Sequence, residues 1–174
     1  EINGRKYFNS IIHDITAKKK ADNQIKLLSK SIEQSPVSVI ITNPMGRIEY
    51  INSTYCRITG YTFDEVIGQT PRLQKSGHHD KEFYEKMWST VLSGKTWQGE
   101  ILNKKKDGTE YWEDVIISPI VNESGDITNF VAVKEDITEK KKIIQELIYA
   151  KEKAEEMNQV KNHFFANMSH ELRT

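Results

Sequence analysis

Residues 97–138 read WQGEILNKKKDGTEYWEDVIISPIVNESGDITNFVAVKEDIT, and this stretch decides the fold. Residues 97–105 alternate in polarity, the mark of a strand with one face on a core. Residues 110–121 and 127–135 form two further runs of the same kind. The breaks between them are Lys106-Asp107-Gly108 and Asn122-Glu123-Ser124-Gly125. Asp-Gly and Ser-Gly steps suit tight turns between antiparallel strands. The stretch therefore predicts three antiparallel strands in succession.

Upstream, residues 37–42 are short, β-branched and bounded by Pro36 and Pro44, which predicts a strand. Pro44-Met45-Gly46 makes a turn, and residues 47–52 return as a second strand. Short helical pieces follow over 53–66. A longer helix is predicted over 79–92, with Phe83, Met87, Val91 and Leu92 on one face. Two strands, a helical middle and three strands predict an α+β domain, a five-stranded antiparallel sheet with its helices on one face. Before it, Ile25, Leu28 and Ile32 at helical spacing predict a helix over 17–34.

From Thr138 to the end there is neither proline nor glycine. Ile143, Leu147, Ala150, Ala154, Met157, Phe164 and Met168 follow steps of four and three. Lys161 breaks the seam, with Val160 beside it. The heptad pattern predicts a dimeric coiled coil or helical bundle. The other reading is one amphipathic helix packed on its own domain.

An echo ties the two ends together. Asp14-Ile15-Thr16 recurs 122 residues later as Asp136-Ile137-Thr138, and a lysine triplet follows each. Such self-similarity points to tandem domains. It also reads as helix capping after a strand. Residues 1–16 are then the last strand of a preceding domain.

Composition narrows the function. Twenty-five basic and twenty-five acidic side chains cancel, which argues against nucleic-acid binding. The single cysteine, Cys56, excludes an intramolecular disulfide and suits a reducing compartment. No apolar run approaches the roughly 18 residues a membrane span needs. The expectation is a cytoplasmic fragment, with membrane anchoring of its parent left open.

The last ten residues are Phe165-Ala166-Asn167-Met168-Ser169-His170-Glu171-Leu172-Arg173-Thr174. They closely resemble the phosphoacceptor box of bacterial sensor histidine kinases. The resemblance implies that ATP phosphorylates His170 and that the phosphoryl group passes to a response-regulator aspartate. It assigns Glu171 to acid–base or orienting work and Thr174 to dephosphorylation of the partner. Neutral imidazole is nucleophilic near neutral pH, and residues 170 and 174 share a helix face.

The middle of the chain resembles a PAS sensory domain. The carrying segments are Ile58-Thr59-Gly60-Tyr61, Glu65-Val66-Ile67-Gly68, Trp97-Gln98-Gly99-Glu100, Lys105-Lys106-Asp107-Gly108 and Asp136-Ile137-Thr138. The implied organisation is the tail of one PAS domain over 1–16, a linker helix over 17–29 and a complete PAS domain over 30–138. A coiled-coil signalling helix follows over 139–160, then the start of the dimerisation and phosphoacceptor domain over 161–174. The implied partners are a second copy through coiled coil and PAS domain, a receiver domain, and the kinase's own ATP-binding domain. That last domain is missing here, so the fragment is not expected to act alone. In the implied mechanism the Asp136-Ile137-Thr138 junction moves the helix that carries His170, with Lys161 as a bistable point. The competing class is a non-catalytic dimerisation or docking module.

Residues 68–112 are similar to flavin-binding PAS domains of the redox-sensing and aerotaxis type. Trp97, Gly99, Ile101 and Asn103 alternate and so face one side of a strand. In the resembled domains a tryptophan and an asparagine at this spacing contact FAD. Trp97 and Asn103 are therefore candidate contacts for FAD or FMN, with Trp88 as a further aromatic wall. A core tryptophan with an exposed Asn103, and a core that is empty or holds another small molecule, stand beside that reading. Light-sensing flavin domains carry an adduct-forming cysteine where this chain has Pro71. Lys134 stands where they place a glutamine, and Glu113 where they place an asparagine. His78-His79-Asp80 reads as a solvated loop and helix cap, since adjacent histidines do not share a metal-binding face. His163 reads as a surface residue. The lysine runs at 18–20, 104–106 and 140–142 read as solvated faces.

Overall fold

A computed structural model describes residues 16–171 of the 174-residue chain. Helix α1 spans Thr16–Glu33, so it carries on through the expected 29/30 boundary. Strands β1 (Ser38–Thr42) and β2 (Ile48–Ile51) follow, then α2 (Ser53–Thr59) and α3 (Phe63–Val66). A 3-10 turn over Pro71–Gln74 leads to α4 (Lys81–Leu92). Strands β3 (Trp97–Lys104), β4 (Glu110–Val121) and β5 (Ile127–Asp136) complete the domain, and α5 (Thr138–Glu171) leaves it. The predicted strands fall within two residues of the observed ones, and β4 coincides with its prediction.

All pairings are antiparallel, and the strand order is β2-β1-β5-β4-β3. The last strand thus enters the middle of the sheet, between β1 and β4. Inward residues of the sheet meet the helices in two apolar groups. One holds Ile40, Ile48, Ile51, Tyr55 and Val66. The other holds Met87, Ile101 and Val115, with Phe83, Trp88 and Trp97 packed on it. Burying an isoleucine or methionine of this kind contributes about 1.5–3 kcal/mol. Leu92 departs from the predicted helix face: it is 58% exposed. It stands one residue past Val91, about 100° further round the helix, and so turns away from the core.

Local chemistry joins the layers. Asn52 caps α2 by accepting the Tyr55 N–H at 3.1 Å, and it accepts the Val39 N–H of β1 at 3.0 Å. Its amide donates to the Ile32 and Val37 carbonyls. Glu33 ties the end of α1 to the sheet, accepting from the Tyr50 hydroxyl and the Ser53 N–H, both at 2.9 Å. The Tyr50 bond, chiefly, holds the Glu33 carboxyl below the usual carboxylate range.

Strand β3 is an edge strand, and residues 75–79 cover part of that edge. Lys75 bridges Asn103, and the Ser76 hydroxyl donates to the Leu102 carbonyl. The Leu102 N–H donates to His79 Nε2 at 3.0 Å. Covering an edge in this way blocks pairing with other chains. His79 is thus half-buried and structural, while Asp80 caps α4 by accepting the Phe83 N–H at 2.8 Å.

Helix α5 runs 34 residues, and every residue from 142 to 162 is exposed. It is therefore not an amphipathic helix packed on its own domain. Ile143, Leu147 and Met157 are 56%, 69% and 70% exposed. No described helix is long and apolar enough to cross a membrane.

Candidate functional site

The inward face of the sheet carries charge where an apolar core is the norm. Four side chains close a ring. Lys134 Nζ of β5 lies 2.9 Å from Glu113 Oε2 of β4 and 3.1 Å from Gln74 Oε1 of the 3-10 turn. Gln74 Nε2 donates to the Tyr111 hydroxyl at 2.9 Å, and that hydroxyl donates to Glu113 Oε1 at 2.9 Å. Asn103 of β3 joins from the side, its amide donating to Glu113 Oε2 at 2.7 Å. All five residues are buried.

The register explains the meeting. Val115 pairs with Lys134, and Glu113 is two residues earlier on β4, hence on the same face. Asn103 pairs with Tyr111 across β3 and β4. A buried ion pair needs its remaining valences met by hydrogen bonds, and Gln74, Tyr111 and Asn103 supply them. Burial, and then the Glu113 charge, pushes the Tyr111 hydroxyl far above the usual tyrosine range. Tyr111 is therefore a fixed donor to the carboxylate at any physiological pH.

Of the two placements of Asn103 left open by the sequence, the exposed one at the strand end is not found; the amide is buried, 6% exposed. Trp97 also faces the core side, where its ring lies over Gly99. A Cβ at Gly99 would fall 2.8 Å from that ring, so any side chain there would push the ring aside. Trp97 meets Phe83 edge to face, with ring centroids 5.7 Å apart. Trp88 meets Phe130 at 5.8 Å and lies over Gly46. Six residues of strand, about 20 Å, separate Trp97 from Asn103. The two tryptophans belong to the apolar group around Met87, and Asn103 belongs to the polar ring.

These positions test the fit of a flavin. The amide that would meet the ring edge is bonded to Glu113, and the position given to a glutamine in photosensors holds a paired ammonium. The buried hydroxyls without a protein partner, among the described residues, are Ser38, Thr42 and Tyr55. They lie on β1 and α2, where Ser38 stands opposite Lys134 and the Tyr55 hydroxyl feels the Glu113 charge. As folded, the residues do not fit FAD or FMN unless the polar ring opens. Among the described residues no group of three or more His, Cys, Asp or Glu is arranged to hold a metal.

The output junction lies on the other face of the same strands. The Trp112 N–H donates to Thr138 Oγ1 at 2.9 Å, and the Ile137 N–H donates to the Trp112 carbonyl at 2.9 Å. Thr138 in turn donates its N–H to Asp136 Oδ1 at 3.0 Å. Trp112 thereby holds the Asp136-Ile137-Thr138 triplet on both sides of its peptide. The lysine runs are not uniformly solvated faces. Lys106 pairs with Glu65, Lys105 lies over the Tyr111 ring, and Lys141 pairs with Glu100.

Helix α5 includes the backbone of His170 and Glu171. Their side chains, that of His163, and Thr174 altogether, lie outside the described residues, as do residues 1–15. Sequence reasoning noted Glu113 and Lys134 as departures without pairing them, and it passed over Gln74. Counting the register back from the Asn122–Gly125 turn would have set Lys134 opposite Asp114; the irregularity between Ile120 and Val121 shifts the pairing by one residue and brings Glu113 and Lys134 onto one face. Nothing local marks Gln74.

Comparison with known proteins bears on this arrangement. Residues 36–139 match the family model described as PAS domain. The nitrogen fixation regulatory protein of Klebsiella oxytoca is 35% identical over 107 residues, which are 62% of this chain and 22% of that protein. Hybrid signal transduction histidine kinase L of Dictyostelium discoideum is 28% identical over 171 residues, 98% of this chain and 10% of the kinase. The solved structure of an RNA-binding light-oxygen-voltage receptor superposes with a TM-score of 0.68 at 23% identity, covering 76% of this chain and 38% of that one. The chain thus spans about a fifth of the first relative and a tenth of the second.

Proposed function

The chain belongs to the PAS domain family, and from that premise we propose that it is the sensory and relay segment of a two-component sensor histidine kinase. PAS domains signal, and relatives of this one include a histidine kinase. The observation that carries the reading is continuity. Strand β5 holds Lys134 of the buried ring, passes through Asp136-Ile137-Thr138 and becomes α5, whose backbone reaches His170. The likeness to the Dictyostelium kinase extends over this helix as well as the domain.

In this reading residues 1–16 end a preceding PAS domain, 17–29 link, 30–138 sense, 139–160 form a coiled coil and 161–174 open the phosphoacceptor domain. A second copy covers the stripe of Ile143, Leu147 and Met157, because an apolar seam at heptad spacing buries best against its own copy. His170 attacks the γ-phosphorus of ATP, the bond to the β-phosphate oxygen breaks, and ADP leaves. Glu171 takes the ring proton. The ATP-binding domain comes from the rest of the parent protein, and the phosphoryl group passes to a receiver-domain aspartate. Thr174 serves dephosphorylation. Lys161 interrupts the seam and gives the helix pair a point at which to change packing. The segment works in the cytoplasm and binds no nucleic acid.

A second reading, a docking module without ligand, is favoured by the closed ring of Gln74, Tyr111, Glu113 and Lys134. Flavin chemistry would enter only with that ring open, at Trp97, Trp88 and Asn103. The experiment is phosphorylation of the intact parent kinase with γ-labelled ATP. Acid-labile label that disappears in His170→Gln is expected. Label retained in that variant would put the phosphoacceptor elsewhere and sink the kinase reading.

A further inference from the structure

The outer face of the sheet carries three carboxylates in one row. Glu100 of β3 stands opposite Asp114 of β4, and Asp114 stands opposite Glu135 of β5. Like charges directly across neighbouring strands repel, so such a row calls for a cation. The cation comes from α5. Lys141 Nζ lies 2.5 Å from Glu100 Oε2 and 4.6 Å from the centre of the Trp112 ring. Lys140 and Lys142 line the same groove, together with Asp114 and Glu135. The lysine triplet after the junction therefore lines one groove with an acidic row of opposite charge, and Lys141 makes the ion pair.

The row sits back to back with the buried ring. On β4, Glu113 points inward while Trp112 and Asp114 point outward. On β5, Lys134 points inward while Glu135 points outward. Strands transmit displacement along their length, so a slip of β5 against β4 that disturbs Glu113–Lys134 also moves the acidic row under Lys141. Beyond Lys141 the helix is exposed throughout residues 142–162. Contacts in its first turns are therefore what aim it.

We infer that Lys141 is a positioning residue. Its grip on Glu100 and the Trp112 ring sets the direction in which α5 leaves the sheet, and so how the far end of that helix is presented. The inference rests on the reading above for its consequence, since it is that reading that puts the phosphoacceptor on α5. The latch itself needs only the geometry.

The test measures the aim of the helix in the full chain. Cys56→Ser removes the native thiol, and spin labels go on Glu123→Cys in the β4–β5 turn and Glu152→Cys on α5. Labelled chain is diluted with unlabelled chain so that distances within one copy dominate. Position 152 lies about 20 Å up the helix from Thr138, so a swing of about 15° moves it by roughly 5 Å. Lys141→Glu is expected to shift or broaden the distance by that amount. The reversed pair Lys141→Glu with Glu100→Lys is expected to restore it. High salt should move the wild type towards Lys141→Glu, because exposed pairs are screened. An unchanged distance in Lys141→Glu overturns the latch, and a shift that the reversed pair fails to restore overturns Glu100 as its partner. Should Lys141→Glu not fold, Lys141→Gln and the salt series on the wild type decide the matter. His170 labelling in the parent kinase is scored separately. A shifted distance with no His170 phosphate in the wild type would sink the kinase reading and leave the latch standing.

Discussion

Lys134 Nζ sits 2.9 Å from Glu113 Oε2, with the two side chains 6% and 1% exposed. A charge pair this deep is held by its hydrogen-bonded neighbours rather than by Coulomb attraction alone. Removing one charge leaves the other buried without its counter-ion. Lys134→Met and Glu113→Gln are each expected to destabilise the domain by about 3–5 kcal/mol. The double variant should lose less than the sum of the singles. Urea unfolding of the four proteins checks this, and additive losses would contradict a coupled pair.

Tyr111 bridges Gln74 and Glu113. Tyr111→Phe keeps the ring in place but leaves the Gln74 amide and one Glu113 oxygen short of a partner. A loss of about 1–3 kcal/mol is expected. A neutral result in the same unfolding assay would mean that water replaces the hydroxyl without cost.

The ring sets a test for flavin as well. A flavin edge at Asn103 must displace Glu113, so replacing the pair by neutral amides should favour binding. Glu113→Asn with Lys134→Gln is expected to retain more flavin than the wild type after flavin-supplemented expression. Absorption of the heat-released supernatant measures it. Equal or greater flavin in the wild type would show that the ring opens readily.

His79 makes stability depend on pH. Its Nε2 accepts the Leu102 N–H at 3.0 Å, which requires the neutral ring. Burial, then the neighbouring His78, lowers its pKa from the ordinary 6.5, against a smaller upward pull from Asp80. The folded state thus binds the proton less readily than the unfolded one. Its stabilisation is complete above pH 6.5 and is lost as pH falls below that value. Unfolding midpoints for the wild type and His79→Phe between pH 5 and 8 should converge at the acid end. Parallel curves would exclude His79 as the cause.

The helix seam has its own measurement. Leu147, 69% exposed, is expected to sit in the interface between two copies. Leu147→Glu should convert a dimer to a monomer by sedimentation equilibrium, with the domain still folded. A wild-type monomer at high concentration would remove the coiled coil from the account.

The strands were legible because their signal is local. Alternation along 97–105 and the Asp107-Gly108 turn identify β3 and its end without reference to the rest of the chain. The outward turn of Leu92 was legible too, because a residue one step past the buried Val91 stands about 100° further round the helix. For the candidate site, Trp97 and Asn103 were correctly put on one strand face. Their separation between two different clusters was not, since that depends on what α4 and the 3-10 turn bring to each end.

The sequence by itself determined the element order, the period of each strand, the Asp136-Ile137-Thr138 junction and the heptad stripe beyond it. Each is written in neighbouring residues, where steric limits and side-chain spacing act at short range. Tertiary structure alone decided that β5 enters between β1 and β4, and that Lys134 reaches Gln74 across 60 residues of chain. It alone set Lys141 against Glu100. The reason is that a buried charge chooses its partner by desolvation and distance in the closed fold, and neither quantity exists until the sheet has formed.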